Sequence, residues 1–311
     1  MRAVQFTEYG PPAVLQIADV PEPHAGPGRI RIAVRASTVS PGEVHVRAGA
    51  MRDVFPAAFP FRTGYDAAGV VNEVGEGVSG VRVGDEVFGA TAVEVRGSNA
   101  DHAVLVAWAP RPAAWTWEEA AGATGAVETS TRVLDRLGVG AGDTVLVQGA
   151  AGGTGSVAVQ LAAVRGATVI GTASERNHDF LRSLGAEPTT YGPGLVERVR
   201  ALAPGGVDAV VDCAGGALPD LVVIAGDPAR VVTVADVTAA AHGVHMSHTS
   251  PGSDLGPADP PAMHGLAVAV DLAEQGRLRI PVAGVFPLVE VAAAHALSEG
   301  GHARGKVVLR H

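Results

Sequence analysis

The sequence predicts an α/β protein in which a doubly wound parallel sheet is joined to a barrel-like β domain. Three observations predict it. Residues 144–148 (Thr-Val-Leu-Val-Gln) have strand character and run into the cluster Gly149-Ala150-Ala151-Gly152-Gly153-Thr154-Gly155, after which 157–164 reads as an apolar helix. Strand-like and helix-like segments then alternate as far as residue 235, the pattern of a parallel sheet covered by helices. Before residue 116, by contrast, glycine and proline recur every several positions between short strand-like runs.

Those short runs lie at 30–34, 68–74, 85–88 and 103–106. Short strands with regular turn signals argue for antiparallel pairing in a barrel. At Thr116 the character changes. Thr116-Trp117-Glu118-Glu119 has the form of a capping box, a hydroxyl at the cap and Glu three residues on, and an Ala-rich helix is expected from there to about residue 137. Strand 144–148 is followed by a helix over 153–165, strand 167–172 by a helix over 176–184, and strand 208–212 by a turn at Gly215-Gly216. A strand over 230–235, a Ser-, Pro-, Gly- and Asp-rich loop over 247–261 and a helix over 262–275 come next. The tail, 282–309, contains a short helix and the strand 306–309. The predicted division is residues 1–116 with 281–311 in the β domain and 117–280 in the doubly wound domain.

Composition narrows the function classes. With 311 residues, 47% hydrophobic and 18% charged, the chain has room for two folded domains and is not of disordered type. A formal net charge of −9 disfavours a nucleic-acid surface, which needs a clustered basic face. No run of about 18 uninterrupted apolar residues is present, so no membrane partner is expected. The opening Met1-Arg2-Ala3-Val4-Gln5-Phe6-Thr7-Glu8 is strand-like and lacks a signal peptide's apolar core. Cys213, the single cysteine, allows neither an internal disulfide nor a multi-cysteine zinc site. A reducing, cytoplasmic setting is expected.

The glycine cluster matches what a dinucleotide diphosphate requires. Glycines let the backbone turn tightly and approach phosphate, and the helix that follows presents free N–H groups and the positive end of its dipole. An acidic residue at the end of the second strand would bind the 2′-hydroxyl of NAD, whereas hydroxyl or basic residues accommodate the 2′-phosphate of NADP. Here that strand ends Gly171-Thr172-Ala173-Ser174-Glu175-Arg176-Asn177. Ser174 and Arg176 suit a phosphate. Glu175 is either the ribose carboxylate or the opening of the next helix, where the dipole favours an acid. The position of the charges favours NADPH.

Together the segments resemble the medium-chain dehydrogenase/reductase superfamily and, within it, the zinc-free NADPH:quinone oxidoreductases. The resemblance covers essentially the whole chain. It is carried by Gly64-Tyr65-Asp66-Ala67-Ala68-Gly69-Val70-Val71 with Val74-Gly75, by Gly84-Asp85-Glu86-Val87-Phe88-Gly89, and by the Gly149 loop. Asp208-Ala209-Val210-Val211-Asp212, Phe286-Pro287-Leu288 and Gly305-Lys306-Val307-Val308-Leu309 complete it. It implies a GroES-like β-barrel catalytic domain made from both chain ends, an inserted Rossmann domain, and a homodimer. Zinc-dependent relatives carry His-Glu where this chain has Tyr65-Asp66, and a cysteine near Ser37 to Ser40, so no metal is expected.

The resemblance places pyrophosphate contacts on Ala151, Gly152, Gly153, Thr154 and Gly155, and adenosine-phosphate contacts on Ser174, Arg176 and Tyr191. It places the nicotinamide against Ala214, Gly215, Val234, Ala235 and Asp236. His45 and Ser40 replace a tyrosine and an asparagine common in the family, and Glu128 stands for a threonine near the ring. His245 and Met246 match a pocket-lining segment.

The implied reaction is hydride transfer to a quinone or to the β-carbon of an α,β-unsaturated carbonyl. Charge developing on the acceptor oxygen calls for prepositioned donors, for which His45, Ser40 and Tyr65 are candidates in that order. His45 competes with the reading of a solvent-facing histidine, and Tyr65 with packing beneath the cleft. His242, His245 and His248 recur every third residue, but a strand or loop there would scatter them. Cys213 reads as a core thiol, and Trp115 and Trp117 as packing at the domain boundary. An enoyl reductase of a biosynthetic pathway, or an NADPH-binding sensor or structural protein without turnover, remain alternatives. A methyltransferase is a weaker rival, because Ala173-Ser174 supplies no ribose carboxylate.

Overall fold

The computed structural model describes residues 1–92, 96–250 and 252–311; Pro251, inside the expected 247–261 loop, lies outside the described residues. The chain opens with β1 (Arg2–Phe6), which pairs antiparallel with β2 (Gln16–Asp19). In β3 (Ile30–Val39), Ile30, Ile32 and Val34 are buried while Arg31, Ala33 and Arg35 are less so, the period-2 signature of a sheet with one covered face. Helix α1 (Pro41–Ala48) follows, where no helix is read from the sequence. Its signals are local: Ser40 accepts from the Glu43 N–H, Glu43 reaches back to the Ser40 N–H, and Pro41 occupies the first turn.

Strands β4 (Phe61–Arg62), β5 (Asp66–Val74), β6 (Glu86–Ala90), β7 (His102–Leu105) and β8 (Ala107–Pro110) come next. The strand expected at 103–106 is β7, which ends at Leu105, and β8 follows after Val106 where no strand is read from the sequence. Helix α2 (Trp117–Arg136) begins at the expected capping box: the Glu119 N–H donates to Thr116 Oγ1 (3.2 Å) and Glu119 Oε2 accepts from the Thr116 N–H (2.9 Å).

β9 (Thr144–Gln148), α3 (Gly155–Val164) and β10 (Thr168–Thr172) follow as expected. The helix expected over 176–184 is a 3₁₀ turn, Glu175–Asn177, leading into α4 (His178–Ser183). β11 (Ala186–Thr189), α5 (Leu195–Leu202), β12 (Ala209–Asp212), α6 (Leu218–Ala225), β13 (Val231–Thr233) and β14 (His245–Met246) complete a six-stranded sheet in the order β11-β10-β9-β12-β13-β14. All neighbours are parallel, so the order reverses direction on either side of β9, the switch point where such sheets bind nucleotides. Leu146, Ile170, Val210, Val231, Leu195, Leu218 and Leu221 lie in its core.

After α7 (Gly265–Glu274) the chain adds β15 (Val282–Pro287), α8 (Val291–Glu299) and β16 (Lys306–Arg310). β16 pairs antiparallel with β3 and parallel with β15, giving a seven-stranded sheet ordered β15-β16-β3-β5-β6-β8, with β7 also on β3. One compact unit is Met1–Gly125 with Leu266–His311; the other is Ala126–Gly265. These limits lie inside the expected 116/117 and 280/281, because the composition changes where α2 begins, whereas α2 runs on past the division. Trp115 packs inside the first unit, edge-on to Phe88 with centroids 5.6 Å apart, and Trp117 lies under the Arg111 guanidinium. Among the described residues no helix is long and apolar enough to cross a membrane.

His295, on α8, is fully buried beside the equally buried Arg47 of α1. Arg47 donates from Nη1 to the Gly10 carbonyl (2.9 Å) and pairs from Nη2 with Glu299 (3.1 Å). Burial first, and the Arg47 charge second, push the His295 imidazole down to about 3. Between pH 6.5 and 3 an unfolded chain therefore takes up a proton that the native state refuses, and stability falls as pH falls. His295→Leu is expected to lose less melting temperature than the wild type between pH 7 and pH 4. Identical slopes in thermal melts across that range would refute this.

Candidate cofactor and catalytic residues

In the doubly wound unit the loop expected to hold a diphosphate lies at the carboxyl end of β9. Gly149 turns the chain with φ of 76°, and its N–H donates to Thr172 Oγ1 (3.0 Å), whose hydroxyl donates to Gln148 Oε1 (2.6 Å). A Cβ on Gly155 would lie 2.9 Å from Ala150 Cα and collide with the Gly149 carbonyl, so α3 starts this close to the strand only with glycine there. The Gly152 N–H is committed to the Gly149 carbonyl (3.1 Å), and Thr154 makes no side-chain cap bond. The Ser156 N–H donates to the Gly152 carbonyl (3.0 Å), and the Val157 and Ala158 N–H groups donate to the Thr154 carbonyl (3.1 and 2.9 Å), so the turn stays tight up to the first turn of α3. This loop fits a diphosphate.

At the end of β10, Ser174 opens the 3₁₀ turn and its Oγ accepts from Asn177 Nδ2 (3.3 Å). Glu175 is the exposed first residue of that turn, and Arg176 is exposed next to it. No carboxylate stands at residues 172–174. The register pairs Thr172 with Thr189, and the Ala173 N–H donates to the Thr189 carbonyl (3.0 Å), so the chain leaving β11 toward Tyr191 starts beside the chain leaving β10 toward Ser174.

The expected nicotinamide wall is organised by a carboxylate for which sequence reasoning found no role. Asp212, fully buried, accepts from the Ala214 and Gly215 N–H groups through Oδ1 (3.1 and 2.9 Å) and from the Thr233 hydroxyl through Oδ2 (2.8 Å). Thr233 Oγ1 in turn accepts from the Ala235 and Asp236 N–H groups (3.1 and 3.0 Å), and the Val234 N–H donates to the Asp212 carbonyl (2.9 Å). All five residues expected at the ring are thus held by one Asp–Thr pair. Asp236 accepts from the Gly216 N–H (2.8 Å) and from the Thr238 hydroxyl (2.6 Å). Burial pushes its pKa up, but the bonds from Thr238 and Gly216 outweigh that and leave it below the usual range. Cys213 is partly buried, and burial pushes its thiol up, in keeping with an unreactive role.

Glu128 is buried in α2 with both oxygens engaged. Oε1 accepts from Arg132 Nε (2.8 Å) and the Ala262 N–H (3.1 Å), while Oε2 accepts from Arg132 Nη2 (3.3 Å) and the Thr129 hydroxyl (3.1 Å). Arg132 continues to Ser247, whose hydroxyl donates to Asp259 Oδ2 (2.6 Å); Asp259 also meets His245 Nε2 (2.9 Å) and Arg136 (3.1 Å). Burial pushes Asp259 up, and its bonds from Ser247 and His245 more than reverse that. Glu128 and His245 are therefore joined in one network tying α2 to the 247–261 segment, while Met246 packs against the core. The three histidines do different things: His242 ends a 3₁₀ turn, His245 meets Asp259, and His248 meets the Gly256 carbonyl (3.2 Å).

In the other unit, Ser40 is the α1 cap and His45 lies exposed one turn on. Glu43, buried between them, accepts from the Gly64 N–H, and burial raises its pKa. Tyr65 is half-buried in the turn before β5, its carbonyl accepting from the Thr91 N–H (2.9 Å). Asp66 faces Lys306 Nζ at 3.6 Å. Among the described residues no group of three or more His, Cys, Asp or Glu is placed to hold a metal ion. The Ser40 cap and the Glu128–Arg132 pair had sequence signals, S-x-x-E and i,i+4 spacing. The Asp212–Thr233 pair had none, since it arises from strand register.

Two family models match the chain: "Alcohol dehydrogenase GroES-like domain" over residues 26–176 and "Zinc-binding dehydrogenase" over 184–309. The chain is 30% identical to a chloroplast envelope quinone oxidoreductase homolog of Arabidopsis thaliana, across 99% of this chain and 98% of that protein. It is also 30% identical to an NADPH-dependent alkenal/one oxidoreductase of the same plant, across 99% and 79%. Identity to the spectinabilin polyketide synthase system protein NorB of Streptomyces orinoci is 33% over 95% of this chain, which spans only 14% of that protein. Among solved structures, an NAD-dependent alcohol dehydrogenase superposes with TM-score 0.85 at 30% identity, and a mycobacterial protein complexed with NADPH with 0.80 at 28%, both over the full length of each chain.

The fold and its glycine loop define an oxidoreductase unit for a nicotinamide cofactor. The chain belongs to the medium-chain dehydrogenase/reductase superfamily, in its zinc-free, quinone oxidoreductase-like branch.

Thr233→Val keeps the shape but strands a buried carboxylate oxygen and two amides. It is expected to cost about 1–3 kcal/mol or more, read as a lowered urea midpoint. An unchanged midpoint would show that Asp212 is held by other means.

Proposed function

We propose that the chain is an NADPH-dependent, zinc-independent reductase that delivers hydride to quinones or α,β-unsaturated carbonyls. The observation that carries the reading is the end of β10, where Ser174 and the exposed Arg176 replace a ribose carboxylate. The names of the quinone oxidoreductase and alkenal/one oxidoreductase relatives support the acceptor class. When bound, NADPH supplies the hydride.

The chain's own residues hold the cofactor and receive the charge that the reaction creates. The α3 N-terminus and the 151–155 loop hold the diphosphate. Ser174 and Arg176 hold the 2′-phosphate, with Tyr191 beside them. The Asp212–Thr233 pair fixes the backbone at Ala214, Gly215, Val234, Ala235 and Asp236 for the ring. With an enone, hydride adds at the β-carbon, the electron pair moves to the carbonyl oxygen, and a proton must then reach the α-carbon. His45 is the candidate donor from the exposed face of α1, with Tyr65 the candidate partner for the oxygen. Ser40, occupied as a helix cap, serves by fixing α1. A quinone acceptor places the electrons on oxygen, where water can supply the protons.

Mixing the protein with NADPH and a panel of quinones, enones and enoyl thioesters tests this through loss of cofactor absorbance. Turnover is expected on quinones or enones. Turnover confined to enoyl thioesters would favour a biosynthetic enoyl reductase. Cofactor binding without turnover on any acceptor would leave a sensor. Arg176→Ala is expected to raise the KM for NADPH about tenfold or more, since a charge-assisted bond contributes about 1.5–3 kcal/mol, with KM for NADH unchanged. Equal effects on both coenzymes would remove Arg176 from the phosphate site.

A further inference from the structure

The guanidinium of Arg198, in the first turns of α5, gathers four successive backbone carbonyls. Nη1 donates to Pro193 (2.8 Å), and Nη2 donates to Thr190 (2.9 Å), Tyr191 (3.3 Å) and Gly192 (3.3 Å). Loop carbonyls ordinarily turn to water. Drawing four of them onto one planar, permanently charged group fixes the peptide planes of residues 190–193 together. The local sequence permits it: Gly194 has φ of 78°, and a Cβ there would already stand 3.0 Å from Arg198 Nη1.

What the clamp holds is the segment leaving β11, whose last residue, Thr189, pairs with Thr172 and accepts from the Ala173 N–H at the end of β10. With its backbone so fixed, Tyr191 projects a side chain that is 55% exposed and has no ring partner among the described residues. A tyrosine presents an apolar ring and a polar hydroxyl together, the combination enriched where a protein surface meets a partner.

We infer that Arg198 is a positioning residue: by clamping residues 190–193 it sets Tyr191 against the adenosine 2′-phosphate, and through Tyr191 it sets part of the coenzyme preference. This rests on the proposal that the β10–β11 end receives that phosphate. Both Nη atoms of Arg198 are engaged by the loop carbonyls, while its Nε is buried without a partner, so the group acts on the loop. A lysine at 198 keeps the charge but cannot form the four-way fork. Arg200, exposed two residues later on the same helix, has a similar charge and no clamp.

The test compares KM(NADH)/KM(NADPH) for the wild type with Arg198→Met, Arg198→Lys, Arg200→Met, Tyr191→Ala and the Arg198→Met/Tyr191→Ala double variant, with thermal melts alongside. The ratio is expected to fall about five-fold in both Arg198 variants and in Tyr191→Ala, with kcat within about two-fold and Arg200→Met unchanged. The double variant is expected to be no worse than Tyr191→Ala alone, as for residues acting through one another. A lowered melting temperature with an intact ratio would reduce Arg198 to a structural role and overturn the inference. So would additive effects in the double variant, or a ratio preserved in Arg198→Lys, which would leave charge as the cause. Should Arg198→Met not fold, Arg198→Lys and Tyr191→Ala carry the same comparison. A wild type indifferent to the 2′-phosphate would instead bring down the NADPH reading, and this inference with it.

Discussion

One buried carboxylate governs the carboxyl end of the parallel sheet. Asp212 sits at the last position of β12, sealed from water, where an unpaired charge would cost several kcal/mol. It is tolerated because two amides and the Thr233 hydroxyl surround it. The same bonds turn the backbone after β12 and, through Thr233, the backbone after β13. Two loops that share no sequence signal are therefore locked to one another beside the switch point at β9. The energetic demand of the charge and the rigidity of the proposed cofactor wall are met by a single set of contacts.

How much of this the sequence shows depends on whether the physics is local. β9, the glycine turn and α3 follow one another in the chain, so a strand run, a tight turn and an apolar helix can be read in order. The α2 capping box is equally local. β11, α5 and α6 are harder: each is eight residues or fewer, and β11 and α6 contain Pro188 and Pro219. The Asp212–Thr233 contact is invisible to any pattern along the chain, because it exists only once Asp212 and Thr233 are registered across adjacent strands. Domain limits rest on different signals, since composition changes at the start of α2 while the contact-based division falls within that helix.

The Glu128–Arg132 pair shows why spacing alone misleads. On an exposed helix face an i,i+4 pair contributes only a few tenths of a kcal/mol. Here both side chains are buried, and Ser247, Asp259 and the Ala262 N–H complete the shell. Buried ion pairs roughly break even against apolar packing, so the network's value lies in arrangement more than in net stability. It ties α2 to the 247–261 segment and draws in His245, leaving that imidazole with a fixed anionic neighbour.

The carboxylate of Glu43 closes the cap of α1 and also receives the Gly64 N–H, one residue before Tyr65. Helix entry and candidate proton-handling turn thus share a single side chain. Removing the Ser40 hydroxyl would slacken that carboxylate and disturb the tyrosine without any chemistry of its own, so a lowered rate in a serine-to-alanine variant would misattribute a mechanical loss to a lost donor. Threonine at that position, which keeps the hydroxyl and its bond, separates the two.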